Sequence, residues 1–312
     1  MKYFIGIVLF LLILPVFGQV KIVVIGSSTA VGIGASEPDS AWVNKYRAYL
    51  QNINPANEVI NLAQGGYTTF NLLPTGINTP SNRPNPDPEK NISAALAQNP
   101  DAIIVNLPSN DAANGFSIEE QLDNYQTILL PANFQHIPVW ISTTQARNLD
   151  AGGRQSLIEM RDSTFARFGD KAIDFWSTIA QSNGRINVIF DSGDGVHLNN
   201  RGHQILFERV AELNIPEAIL TATNPILENN KNLLVYPNPT TDVLHIDFKN
   251  GLNRQNLIQI IDIKGHLMKS MIVEKQTTNI DLMVDELPTG MYQLLLNDGR
   301  VLQHQLFLKQ SL

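Results

Sequence analysis

The chain has 312 residues, a formal net charge of -7 and a sequence pI near 5.4. With 43% hydrophobic and 16% charged residues it has the composition of a globular protein rather than a disordered one. Its mild acidity and lack of Lys/Arg runs argue against a nucleic-acid partner, and its lack of cysteine excludes disulfides, thiolate catalysis and cysteine-bound zinc.

Residues 1–18 read as a secretory signal peptide: Lys2, an apolar stretch from Tyr3 to Phe17, and Val16 and Gly18 at the -3 and -1 positions of a cleavage site. The apolar core is shorter than the roughly 20 residues a membrane span needs. No later segment is apolar enough to cross a bilayer, so no integral membrane segment is expected once the signal is removed.

From Val20 to about Ile215, short apolar runs alternate with amphipathic stretches. Strands are expected at Val20–Ile25, Val59–Leu62, Ala102–Leu107, Val139–Ser142 and Asn187–Phe190. Ile22–Ile25 and Ile103–Val105 are apolar throughout, which suits strands buried on both faces of a parallel sheet. Helices are expected at Ala41–Gln51, Glu89–Ala97, Ile118–Leu130, Gln155–Phe168 and Asn200–Leu213. Ser117 and Glu120 form a capping box at the start of the third. This alternation implies right-handed crossovers and a three-layer α/β sandwich. Leu73–Pro88, with five prolines, is expected to be an ordered loop walling the substrate site.

After Ile215 the texture changes. Residues 221–231, rich in Asn and Thr, read as a linker. Beyond it come seven runs at β spacing: Leu233–Tyr236, Val243–Phe248, Leu257–Ile263, Met268–Val273, Asn279–Met283, Met291–Leu296 and Gln303–Leu308. They imply a small antiparallel β-sandwich over 232–312, following an α/β domain over 19–220.

Four short motifs carry chemistry. Gly26-Ser27-Ser28-Thr29-Ala30-Val31-Gly32 follows the first strand, placing Ser28 in a tight turn at the carboxyl edge of the sheet, where open α/β sheets bind ligands. A plain Ser/Gly-rich turn is the competing reading, but the segment lacks the Lys of a P-loop. Asn61-Leu62-Ala63-Gln64-Gly65-Gly66 follows the second strand, and its glycines let backbone amides approach a ligand. Pro108-Ser109-Asn110-Asp111 follows the third, and the Asn110 amide is a neutral donor suited to a developing oxyanion. Asp194-Gly195-Val196-His197 precedes the last helix; an Asp three residues ahead of a His can fix its tautomer and leave Nε2 as a base. Asp191 is a weaker rival for that role.

Together these motifs resemble the four conserved blocks of the SGNH (GDSL-like) serine hydrolases over roughly Lys21 to Ile215. The resemblance implies a flavodoxin-like fold and an esterase working through an acyl-enzyme. It makes Ser28 the nucleophile, His197 the base and Asp194 its orienting acid. The Ser28 and Gly66 backbone amides and the Asn110 side chain would form the oxyanion hole. It implies no metal or organic cofactor. Ser27 stands where the family has Asp, and Pro108 where it has Gly; neither position supplies a triad atom.

The remaining candidates are weaker. His136, His203, His245, His266 and His304 lack metal-ligand spacing and read as surface or turn residues. Trp42, Trp140 and Trp176 read as core. Arg147 and Arg154 could meet a substrate carboxylate, although solvated loop charges are the better reading.

Tyr236-Pro237-Asn238-Pro239, Leu287-Pro288-Thr289-Gly290-Met291-Tyr292 and the end around Phe307-Leu308-Lys309 resemble the C-terminal sorting domain of Bacteroidetes type IX secretion. That implies handling by the type IX secretion machinery and a secreted or outer-membrane-surface location. The substrate expected is a glycan ester undergoing deacetylation. The alternatives are a lysophospholipase or lipase-like esterase, and a non-catalytic glycan-binding surface protein on the same fold.

Overall fold

The computed structural model describes residues 19–107, 109–135, 137–221, 233–253, 255–262, 267–297 and 302–311. The expected signal peptide lies outside the described residues. Five parallel strands form the first sheet: β1 (Lys21–Gly26), β2 (Glu58–Asn61), β3 (Ala102–Asn106), β4 (Val139–Ser142) and β5 (Ala172–Ile173), in the order β2-β1-β3-β4-β5. The helices are α1 (Ser28–Val31), α2 (Trp42–Ile53), α3 (Ile92–Leu96), α4 (Asn110–Ala113), α5 (Ile118–Phe134), α6 (Ala151–Phe168), α7 (Asn200–Glu212) and α8 (Ile215–Thr221).

Successive strand residues point to opposite faces, so each apolar strand feeds two cores. Ile22, Val24, Ile104 and Trp140 pack with Trp42, Tyr46 and Leu50 of α2 and Leu206 and Val210 of α7. Val23, Ile25, Ile103, Val105 and Ile141 pack on the other face with Ile92 of α3, Tyr125 and Ile128 of α5 and Met160 of α6. At about 1.5–3 kcal/mol for each fully buried aliphatic side chain, β1 alone anchors the sheet strongly. This is the three-layer α/β sandwich expected from the sequence. The three tryptophans are all buried in it.

The capping box of α5 forms in both directions, with the Glu120 N–H donating to Ser117 Oγ at 3.1 Å and the Ser117 N–H to the Glu120 carboxylate at 2.9 Å. That helix continues through Pro131, past its expected end at Leu130, because Leu130 and Ala132 are buried. The strand expected at Asn187–Phe190 is not formed. Val188 and Ile189 are exposed there in a turn, and the fifth strand is the two-residue β5 instead. A run of apolar residues reads as buried, and here two of them face solvent.

The C-terminal strands are β6 (Leu233–Tyr236), β7 (Val243–Phe248), β8 (Asn256–Asp262), β9 (Leu267–Val273), β10 (Asn279–Met283), β11 (Gly290–Asn297) and β12 (Leu302–Lys309). They form two antiparallel sheets, β10-β7-β6 and β12-β11-β8-β9. Leu244, Ile246 and Phe248 of β7 alternate with partly exposed residues and meet Ile258, Ile260, Leu294, Leu296 and Phe307 in one apolar core. Helix α8 runs to Thr221, where the linker was expected to start; the rest of that linker lies outside the described residues.

Candidate active site

The turn after β1 depends on close backbone approach. A Cβ at Gly26 would lie 2.1 Å from the Asn106 carbonyl oxygen, so only glycine lets the end of β1 close against β3. The Ser27 N–H donates to that same carbonyl at 3.0 Å. Ser28 then opens α1 with 8% of its surface exposed. Ser27, the departure from the family pattern, is buried at the helix N-cap without a side-chain cap bond. Pro108, the other departure, is outside the described residues.

The His segment comes against this turn from the far end of the domain. Gly34, at φ +97°, has room for no side chain: a Cβ there would lie 2.3 Å from the Leu198 carbonyl oxygen and 3.0 Å from His197 Cβ. His197 Nδ1 is hydrogen-bonded to Asp194 Oδ2 at 2.5 Å. Asp194 Oδ1 accepts the backbone N–H groups of Val196 and His197, each at 2.8 Å. Burial alone would raise the Asp194 pKa, but these backbone bonds and the imidazole hold the carboxyl well below the usual range. Asp191 serves the loop instead, accepting from Gly193 N at 2.7 Å and Gly195 N at 3.0 Å. Asp194, not its rival, touches His197. Among the described residues His197 is hydrogen-bonded through its ring only at Nδ1, and its Nε2 makes no bond to Ser28 Oγ; such contacts often tighten only with substrate bound.

Two further segments complete the edge. The Ser28 and Gly66 backbone N–H groups donate to no protein acceptor among the described residues. Asn110, at the start of α4, donates through Nδ2 to the Tyr67 carbonyl at 2.8 Å and accepts from Arg147 Nη1 through Oδ1 at 3.2 Å. Next to it, Asp111 is buried and accepts both the N–H of Thr69, at 3.1 and 3.2 Å, and its hydroxyl, at 2.5 Å. Burial raises the Asp111 pKa to about 6 against the lowering effect of those Thr69 bonds. Asp111 thereby fastens the Gly66 loop to the Asn110 helix.

The proline-rich loop is pinned beside this edge. Asp87 is hydrogen-bonded to the Tyr67 hydroxyl, and Arg83 pairs with Glu120 at 2.7 Å while lying 4.3 Å over the Phe116 ring.

Several residues mattered that the motifs did not single out. Gln145, Thr29 and Asp111 are buried polar side chains whose bonds join segments far apart in sequence. Arg147 is a half-buried partner of Asn110 rather than a solvated charge, and burial lowers its pKa. Arg154 is structural, donating to the Asn183 carbonyl at 2.8 Å and the Leu149 carbonyl at 2.5 Å. His203 is fully buried, contrary to the surface reading. The Trp42 backbone N–H donates to its Nδ1 at 3.4 Å, its Nε2 faces the Ile33 carbonyl at 3.3 Å, and burial lowers its pKa to about 4. His245 pairs with Asp281 at 2.6 Å, and His136 and His266 lie outside the described residues. Among the described residues no group of three or more His, Cys, Asp or Glu could hold a metal.

The five-stranded parallel sheet thus carries a Ser turn, two backbone N–H groups without a protein acceptor among the described residues, an Asn and an Asp–His pair in the loops that follow its strands. Residues 24–205 match the GDSL-like lipase/acylhydrolase family model, and the chain belongs to that family. It is an ester-bond hydrolase. Residues 234–309 match the secretion system C-terminal sorting domain, the type IX tail that sends a chain to secretion or to the outer-membrane surface. No helix among the described residues is long and apolar enough to cross a membrane. No curated protein matches the chain. Among solved structures it is similar to a lipase/acylhydrolase from Enterococcus faecalis, at 18% identity and TM-score 0.47, covering 64% of this chain and 97% of that one. It is similar also to a GDSL-like lipase from Bacteroides thetaiotaomicron, at 15% identity and TM-score 0.47, covering 64% and 88%. A third is a two-domain esterase active on acetylated mannans, at 11% identity and TM-score 0.46, covering 94% and 86%.

Proposed function

We propose that this secreted esterase removes small acyl groups, acetyl first among them, from the hydroxyls of a glycan, with Ser28 as nucleophile. Ser28 Oγ attacks the ester carbonyl carbon while His197 Nε2 takes its proton. The oxyanion is met by the N–H groups of Ser28 and Gly66 and by the Asn110 amide. The intermediate collapses, and the alcohol leaves with the proton from His197. Water, activated by the same imidazole, then releases the acid from the acyl-enzyme. Asp194 holds His197 in the tautomer that leaves Nε2 free and stabilises the imidazolium.

The observation that carries this reading is the 2.5 Å Asp194–His197 bond on a loop packed against the Ser28 turn at Gly34. The glycan preference is supported by the loop pinned beside Tyr67, which carries the exposed polar residues Ser81, Asn82 and Asn85. One feature favours the lipase-like reading instead. Val31 and Ile33, just after the Ser28 turn, are both more than 40% exposed, and a Cβ at Gly65 would lie 3.5 Å from Ile33 Cδ1.

Hydrolysis of p-nitrophenyl acetate, butyrate and octanoate by the full chain, beside Ser28→Ala, tests both. The expected profile falls with chain length, and Ser28→Ala loses on the order of 10⁴-fold or more in kcat. A preference for octanoate would move the assignment to the lipase-like reading. Equal rates in both proteins would refute Ser28 as nucleophile. Acetate released from an acetylated polysaccharide then checks the glycan directly.

A further inference from the structure

The loop between β4 and α6 contributes nothing to the proposed triad or oxyanion hole, yet its side chains reach three of the segments that do, those carrying Ser28, Asn110 and His197. Gln145 is 1% exposed. Its Oε1 accepts the hydroxyl of Thr29, the residue after Ser28, at 3.1 Å. Its Nε2 donates to the carbonyl of Val196, the residue before His197, at 3.0 Å. Two residues on, Arg147 Nη1 meets Asn110 Oδ1 at 3.2 Å. The next backbone N–H, of Asn148, donates to the Gly195 carbonyl at 2.8 Å.

The polarity of these contacts leaves little freedom. A carbonyl only accepts, so the Gln145 NH₂ must face Val196, and its oxygen is left for Thr29. A buried amide turned the wrong way would set its oxygen against the Val196 carbonyl and leave both acceptors without a donor. Gln145 is therefore a strut of fixed length and direction between the turn that carries Ser28 and the turn that carries His197. The same reasoning fixes Asn110. Arg147 only donates and the Tyr67 carbonyl only accepts, so Oδ1 faces Arg147, one Nδ2 hydrogen goes to Tyr67, and the other is free for an oxyanion. A guanidinium on Oδ1 also polarises the amide, making the free N–H a better donor.

We propose that Gln145 and Arg147 are positioning residues for the reaction: Gln145 sets the separation of nucleophile and base, and Arg147 aims and polarises the Asn110 donor. This inference rests on the roles proposed for Ser28, His197 and Asn110. It assigns neither residue a contact with the reacting atoms.

The test uses the full chain, with p-nitrophenyl acetate turnover and the rate at which a fluorophosphonate labels Ser28. Gln145→Met keeps the volume and removes both bonds. It is expected to lower kcat and the labelling rate together by about 10- to 100-fold, the scale of a misplacement near 1 Å, with KM unchanged. Thr29→Val cuts the same strut at its other end, so adding it to Gln145→Met should cost little more. Arg147→Met is expected to lower kcat by about 10-fold, and Arg147→Lys, which restores a donor, to recover most of it. Should Gln145→Met fail to fold, Thr29→Val and the Arg147 pair decide the matter. Folded variants with wild-type kcat, or losses confined to KM, would overturn the proposal. Ser28→Ala runs in parallel. If it is inactive while these variants are fully active, the positioning roles fail and the nucleophile stands; if it remains active, the assignment beneath them fails.

Discussion

Asp194 and Asp191 are three residues apart on one loop, and their bonds predict different losses. Asp194→Asn keeps the side-chain shape but cannot hold His197 in the working tautomer, so kcat should fall by on the order of 10³- to 10⁴-fold at neutral pH. Asp191→Asn weakens the turn at Gly193 and Gly195 and the bond from Asn148 Nδ2, none of which touches His197, so its effect should appear chiefly in thermal stability. Equal losses of kcat in the two variants would contradict this division. The Asp111 carboxyl gives a second prediction. Its folded pKa is raised to about 6, above the roughly 3.9 of an unfolded Asp, so the folded state binds its proton more tightly. Stability from this group is present below about pH 4 and is lost as pH rises through 6. Tm measured from pH 4 to 7 should therefore fall for the native chain relative to Asp111→Asn, and parallel curves would contradict it. The sequence carried Ser28, Asn110, Asp194 and His197 because each sits in a short local motif. It did not carry Gln145 or Thr29, whose bond joins residues 116 apart, nor the burial of His203 behind the Ser28 turn.

At the level of elements, strand ends and glycines set the site. Gly34 lets the segment after α1 touch Leu198 and His197 without an intervening side chain. Gly34→Ala adds a methyl 2.3 Å from a backbone oxygen at a positive φ. The strain should cost about 1–3 kcal/mol of stability, and a shift near 1 Å in the His197 loop should cost about 100-fold in kcat. Melting and turnover of the one variant check both, and a native kcat would show that the loop contact does not set the geometry. Long strands and amphipathic helices were legible because the apolar period matches the buried face: β1, β3 and β4 appear where expected. The fifth strand was not, since two residues carry no period, while the exposed Val188 and Ile189 imitate a buried run. The start of α6 at Ala151 was also missed; Gly152 and Gly153 hide it, and Asp150 caps it by accepting from Gly153 N at 2.8 Å.

Across the whole molecule, catalysis and export are carried by different parts of the chain. The sandwich meets the hydrolase part through Leu130, near the C-terminal end of α5, which packs with Ile261, Leu267 and Leu295. In a parallel α/β sheet the helix after β3 returns to the edge opposite the strands' carboxyl ends, and the sandwich residues Gln259, Ile261 and Leu267 also line a cavity there with Pro74 and Ile77 of the proline-rich loop. Removing residues 232–312 should leave p-nitrophenyl acetate turnover unchanged. In a host with type IX machinery it should also hold the chain inside the cell. Fractionation with an activity assay reads both, and loss of turnover would show that the tail supports the site. The seven C-terminal strands were legible because alternation and turn residues repeat at short intervals; how the sandwich sits on α5 was not, because it depends on scattered single residues.

The central claim is that Ser28 carries the acyl group. The direct measurement is intact-mass and peptide analysis of the full chain after reaction with a p-nitrophenyl phosphonate, which forms a stable adduct on an activated serine. The account predicts one adduct, mapped to Ser28, absent from Ser28→Ala and formed far more slowly in His197→Ala. An adduct on another residue, or an unmodified Ser28 in a protein whose esterase activity the phosphonate abolishes, would contradict it.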